Sequence, residues 1–118
     1  MTAPTELKLR NKSCILEVAF ADGARYELDF EYLRVYSPSA EVRGHGPGQE
    51  RLQTGKEAVR ITKIEPVGHY AVRLFFDDGH NTGLYNWDYL RELGEKYEQN
   101  WQDYLDRLEA AGYARRNT

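Results

Sequence analysis

The feature that most constrains this chain is a change of hydrophobic period along its length. Tyr70, Val72, Leu74 and Phe76 occupy every second position, the spacing that places side chains on one face of a β-strand. Asp78-Gly79 follows at once, a dipeptide suited to a tight hairpin turn, with Thr82 and Leu84 expected on the return strand. The first thirty residues read the same way. Leu7 and Leu9 alternate with charged residues, Leu16, Val18 and Phe20 share a face, Asp22-Gly23 turns the chain, and Tyr26 and Leu28 resume the pattern. Val59 and Ile61 open a further strand that reaches Ile64, and Pro66-Val67-Gly68 turns it.

Helical signals punctuate and then replace this alternation. The Asp29 carboxylate is placed to accept from the free amides of a short helix through Phe30-Glu31-Tyr32-Leu33-Arg34, and Pro38 limits how far that helix runs. In the last third Asn86 is the expected cap of a helix whose Trp87, Leu90 and Leu93 share a face, with Gly94 as its stop. A second helix over 95–111 presents Tyr97, Trp101, Tyr104, Leu105 and Leu108 as a stripe expected to cover an open sheet. The predicted fold is α+β: a small mixed or antiparallel sheet built from hairpins, a short helix after the first hairpin, and C-terminal helices over the sheet. At 118 residues a single domain over 1–118 is expected.

Composition removes several classes of function. Sixteen basic against nineteen acidic residues give a net charge of −3, too near balance to attract a polyanion through bulk electrostatics, so no nucleic-acid partner is expected. No run approaches the roughly 20 apolar residues of a membrane span. The opening MTAPTELKLR lacks the apolar middle of a secretory signal, so the expected address is the cytoplasm, without membrane attachment. Cys14, the single cysteine, excludes an internal disulfide and is expected as a packed strand residue.

Between Ser37 and Gly55 the periodicity is lost, and Gly44-His45-Gly46-Pro47-Gly48-Gln49 forms a glycine-rich loop. It does not complete a phosphate-binding Walker loop, because Glu57 stands where the magnesium-binding hydroxyl belongs and Gly48 lies too far from Gly55, with six residues between them instead of four. His45, His69 and His80 match no short metal signature. A loop folded back on the hairpins would bring His45 toward His80, with Asp77, Asp78 or Glu65 in reach. Ser37, Ser39 and Cys14 have no base at a recognisable separation, and the Asp77-Asp78 pair suits a turn better than acid/base work. Asn86-Trp87-Asp88-Tyr89-Leu90 reads as a capped, core-facing first helical turn.

Three segments taken in order, from Ser37-Pro38-Ser39 to Gly48, Ile64-Glu65-Pro66-Val67-Gly68, and Phe76-Asp77-Asp78-Gly79-His80 to Tyr85, resemble the DUF971 family. This is the gamma-butyrobetaine hydroxylase-like N-terminal domain, and the resemblance runs from about Leu7 to about Leu93. In the oxygenases that give the family its name, the domain precedes a separate iron and 2-oxoglutarate jelly-roll. The present chain ends without one, so hydroxylation is not expected. The family pattern resembles a zinc module with a Cys-x-Cys-x-x-Cys group and a later histidine, onto which Ser37, Ser39, Val42 and His80 fall. Serine is a weak ligand and valine none, so the resemblance implies a member that folds without zinc, and no cofactor is expected.

Relatives joined to P-loop ATPases that resemble carriers of iron–sulfur clusters suggest an accessory role in cluster assembly. The expected function is a non-enzymatic partner-binding module. Its face would comprise a loop of Ser37, Ser39, Arg43, Gly44, His45, Gly46, Pro47, Gly48 and Gln49 and a hairpin of Asp77, Asp78 and His80. The expected partner is a protein, an iron–sulfur P-loop ATPase among the candidates. The first alternative is a metal-binding or redox accessory protein that uses His45 and His80, and the second is the structural subunit of a homo-oligomer.

Overall fold

The computed structural model describes residues 2–44 and 51–115. Strands β1 (Glu6–Arg10), β2 (Ile15–Ala19) and β3 (Arg25–Asp29) form one antiparallel sheet in the order β1-β2-β3. Strands β4 (Ile61–Val67), β5 (Ala71–Phe76) and β6 (Leu84–Asn86) form a second, in the order β4-β5-β6. Four helices complete the described fold: α1 (Phe30–Val35), α2 (Ala40–Arg43), α3 (Trp87–Glu95) and α4 (Tyr97–Ala110). The architecture is therefore α+β, with the hairpins divided between two sheets instead of sharing one. No helix among the described residues is long and apolar enough to cross a membrane.

The alternation seen in the sequence becomes the core, except at Tyr70, which precedes β5 in the turn and is exposed. Leu16, Val18 and Leu28 from the first sheet and Val72, Leu74 and Phe76 from the second belong to one apolar cluster, which also takes Phe30, Tyr32 and Leu33 from α1. Deep burial makes truncation expensive, on the order of 2–5 kcal/mol for a leucine cut back to alanine. Asp22-Gly23 and Asp78-Gly79 make their turns with Gly23 and Gly79 at φ 91° and 90°, torsions that glycine adopts without a steric penalty.

Several local expectations are corrected. Cys14 is a turn residue between β1 and β2, with a φ of 56°. Asp29 is the N-cap of α1, but its side chain makes no cap bond, because its carboxylate accepts from the Tyr97 hydroxyl instead. Thr82 precedes β6, and within that strand Tyr85 faces in while Leu84 is exposed. Gly94 does not stop a helix. It lies inside α3, where a Cβ would fall 2.4 Å from the Tyr26 ring, so the residue permits close packing of helix on β3.

The stripe on α4 meets helix α1 as well as the end of β3, where Tyr97 bonds Asp29. Tyr97 and Trp101 meet the Tyr32 ring edge-on at centroid distances of 4.7 and 6.3 Å, and Tyr104 and Leu108 pack with Val35. Helix α1 is thus sandwiched between the core and α4, and Tyr32 donates a 2.6 Å hydrogen bond to the Leu93 carbonyl of α3. This sandwich fixes where the chain leaves α1, and so where the next segment begins.

Candidate functional site

Residues 37–44 leave α1 and cross to the hairpin between β5 and β6. Ser39 is the N-cap of α2, and its Oγ accepts from the Glu41 amide at 3.1 Å, which satisfies a donor the helix cannot. Helix α2 was hidden in a stretch without hydrophobic period. A cap serine after a proline and an acid in the first turn, Pro38-Ser39-Ala40-Glu41, were its available signals. On the other side, the Phe76 amide donates to the His80 carbonyl at 3.0 Å, closing the turn that carries Asp77 and Asp78 and directing His80 inward.

Where the two segments meet, Ser37 Oγ lies 2.7 Å from His80 Nε2, and His80 Nδ1 lies 3.1 Å from Glu41 Oε2. A carboxylate can only accept, so Nδ1 carries the proton toward Glu41, and Nε2 accepts from the Ser37 hydroxyl. Ser37 Oγ in turn accepts from the Ser39 amide at 3.3 Å, and Ser39 Oγ is 2.6 Å from Thr82 Oγ1. Burial of the imidazole, together with the nearby Arg34 charge, lowers the His80 pKa, against a smaller raising effect of Glu41. The neutral ring that this chain of bonds requires is the form its surroundings favour.

The turn is anchored separately. Asp78 Oδ2 accepts from Arg34 Nε at 2.9 Å and Lys56 Nζ at 2.7 Å, and Asp78 Oδ1 accepts from the His80 amide at 3.2 Å. Burial acts to raise the Asp78 pKa, but these donors and the Arg34 charge outweigh it and hold the carboxyl at about 2. Asp77 accepts from the Arg60 amide at 3.0 Å. The two carboxylates thus have separate partners and share no proton, as the turn reading expects.

Ser37, His80 and Glu41 stand in the order of a hydrolytic relay, a base for Ser37 that the sequence did not disclose. Access decides what the relay can do. Ser37 is 1% exposed, and a Cβ at Gly83 would fall 2.4 Å from its Oγ. No acyl carbon can approach a hydroxyl so enclosed to the roughly 3 Å that attack requires. The cluster works as a polar clip between α2 and the hairpin.

The same geometry tests the zinc pattern. Ser37 and Ser39 are hydroxyls already engaged in hydrogen bonds, Val42 is a buried residue without a donor atom, and both nitrogens of His80 are taken. Among the described residues no three histidine, cysteine or acidic side chains gather as a metal site. These residues do not fit a zinc ion. His45, Gly46, Pro47, Gly48 and Gln49 lie outside the described residues, so the proposed approach of His45 to His80 does too.

Beyond the clip, Arg43 and Gly44 face a cleft of about 610 Å³. Its floor is apolar, from Val35, Val42 and Leu93, and Tyr36, Tyr89 and Tyr104 form its sides. The tyrosine hydroxyls are engaged by backbone carbonyls of residues that also line the cleft: Tyr36 donates to Asn100, Tyr89 to Tyr36 and Tyr104 to Gln53, at 2.7, 2.6 and 2.6 Å. The Arg43 guanidinium lies over the Tyr89 ring, 4.7 Å from its centroid. A bond from Val42 to Arg51, whose amide donates to the Val42 carbonyl at 2.7 Å, joins the two sides of the glycine-rich loop at the cleft edge. Arg51, Arg107 and Tyr89 were not among the residues expected from the sequence, because the cleft draws them from three separate stretches.

A small α+β module with a hydrogen-bonded clip beside an open cleft is the class of protein these features define. The chain belongs to the gamma-butyrobetaine hydroxylase-like N-terminal family, whose model matches residues 7–91. Two solution structures determined by NMR are similar over 98% of this chain. One is 46% identical with a TM-score of 0.84, covering 90% of its own chain, and the other 50% identical with a TM-score of 0.83, covering 86%. A crystal structure from Acidithiobacillus ferrooxidans, of a protein of unknown function in the DUF971 family, is 45% identical with a TM-score of 0.66. That match covers 77% of this chain and 91% of the other. No curated protein matches the chain.

Proposed function

We propose that this chain is a non-enzymatic accessory module that binds a protein partner through the surface formed by α2, the cleft beside it and the His80 hairpin. The observation that supports this reading is the division of labour within residues 37–44. The groups capable of chemistry, Ser37 and His80, are enclosed and mutually satisfied, whereas Arg43 and the aromatic cleft face outward. An arginine stacked on tyrosine over an apolar floor is the composition of a recognition surface. A cytoplasmic P-loop ATPase that carries iron–sulfur clusters is the partner class suggested by the family resemblance.

A photo-crosslinking residue in place of Ala40, an exposed position on α2, tests the reading. In extracts of the source cell it is expected to capture one discrete partner, with no capture from a control position at Glu109 on the exposed face of α4. Equal capture from both positions, or none from Ala40, counts against a dedicated surface, and capture of a second copy of the chain supports a homo-oligomer instead.

A further inference from the structure

The described arginines differ in what they hold: Arg60 reaches the Asn11 carbonyl and Cys14 Sγ, and the Arg73 Nε is buried with no partner among the described residues. Arg10, Arg25, Arg34, Arg91 and Arg115 each hold a carboxylate. Arg43, Arg51 and Arg107 hold none among the described residues, and all three line the one cleft. Glu92 is the only acid among the described residues lining that cleft, and it makes no ion pair with any of them. In a protein of net charge −3, three guanidinium groups without an ion pair among the described residues, one of them stacked on Tyr89, surround an apolar, tyrosine-walled floor and form a local positive field. Guanidinium forks suit carboxylates, to which they can donate two parallel hydrogen bonds, while the floor of Val35, Val42 and Leu93 suits an apolar side chain.

We propose that the cleft receives an acidic peptide segment of the partner, with one apolar or aromatic side chain seated on its floor and flanking carboxylates held by Arg43, Arg51 and Arg107. This inference rests on the partner-binding reading and adds the chemistry of what is bound. A peptide fits better than a small anion because the three arginines are exposed at the rim, spaced around an open groove rather than converging on one enclosed point. The bulk charge balance sets no obstacle, since the attraction acts within about 10 Å of the surface at ordinary salt.

The test uses the whole chain and a fluorescent peptide in which one phenylalanine is flanked on both sides by glutamates, read by anisotropy at low and moderate salt. Saturable binding is expected. Arg43→Gln, Arg51→Gln and Arg107→Gln together are expected to weaken it by about tenfold or more, and Phe→Gly in the peptide by a similar factor. Arg25→Gln, in a surface ion pair on the first sheet, is expected to leave it unchanged. Thermal melting of each variant separates lost binding from lost folding. Binding that persists in the triple variant overturns the inference. So does binding indifferent to the phenylalanine, or equalled by inorganic phosphate at the same ionic strength, since each reports charge alone. Absence of saturable binding overturns it too. If Ala40 photo-capture succeeds while the peptide fails, the acidic segment falls and the partner surface stands. If both fail, both fall.

Discussion

The clip and the cleft share one short segment, residues 37–44, and treat polarity in opposite ways. In the clip each named polar group has its counterpart within the fold: Ser37 with His80, His80 with Glu41, Ser39 with Thr82. In the cleft three arginines have no acid partner among the described residues, and the tyrosine hydroxyls are taken up by backbone carbonyls. Burial accounts for the contrast. A donor removed from water without a partner costs about 1–3 kcal/mol, whereas one left at the surface costs almost nothing. The clip could only be built satisfied, and the cleft is free to hold its donors ready for a ligand.

If this contrast is right, damage to the clip acts on stability. His80→Ala should have the largest effect, on the order of 2–4 kcal/mol in denaturant unfolding. It removes a buried ring and strands the buried Ser37 hydroxyl, while the exposed Glu41 carboxylate is left to water. A loss below about 1 kcal/mol would show that the clip contributes little. Gly83→Ala should follow at roughly 1–3 kcal/mol, because the added Cβ falls 2.4 Å from Ser37 Oγ and 3.2 Å from Pro38 Cδ and must push α2 away from the hairpin.

A pH series sharpens the same point. The His80 pKa is depressed in the folded state below its usual 6.5, so the unfolded chain binds the proton more readily. This contribution to stability is complete above about pH 6.5 and declines as pH falls through the folded value. Urea unfolding across that window should show the decline in the native sequence and lose that component in His80→Gln. An unchanged slope in the variant would mean that His80 is not the group responsible.

The smallest stability effect is expected from the cleft. Arg43→Gln, Arg51→Gln and Arg107→Gln should each shift unfolding by less than about 0.5 kcal/mol, as exposed side chains without ion pairs do. A larger shift would assign the arginines to the fold and erase the contrast.

How much of this was legible in the sequence follows the same physical line. The alternating runs, both Asp-Gly turns and the two C-terminal helices were readable because period and turn chemistry are local. What covers what was not. The α4 stripe announces an apolar face, yet its docking on Tyr32 of α1 depends on where the two sheets leave room. Asp29 shows how a tertiary partner, Tyr97, overrides a local capping preference. The family pattern singled out Ser37, Ser39, Val42 and His80 together, and the structure bonds Ser37 to His80 and Ser39 to the neighbouring Thr82. Glu41 as the third member of the relay, and Arg51 and Arg107 as neighbours of Arg43, come from side-chain proximity between distant stretches, which no spacing in one sequence encodes.

The most direct measurement is a nitrogen–proton NMR titration of the intact chain that follows the His80 ring and the arginine side chains in one sample as the glutamate-flanked phenylalanine peptide is added. The enclosed clip and receptive cleft predict a neutral His80 protonated on Nδ1 that does not move, while the Nε–H signals of Arg43, Arg51 and Arg107 shift together and saturate. A His80 ring that is protonated on Nε2, or that shifts with the ligand while the three arginines stay still, would contradict that division.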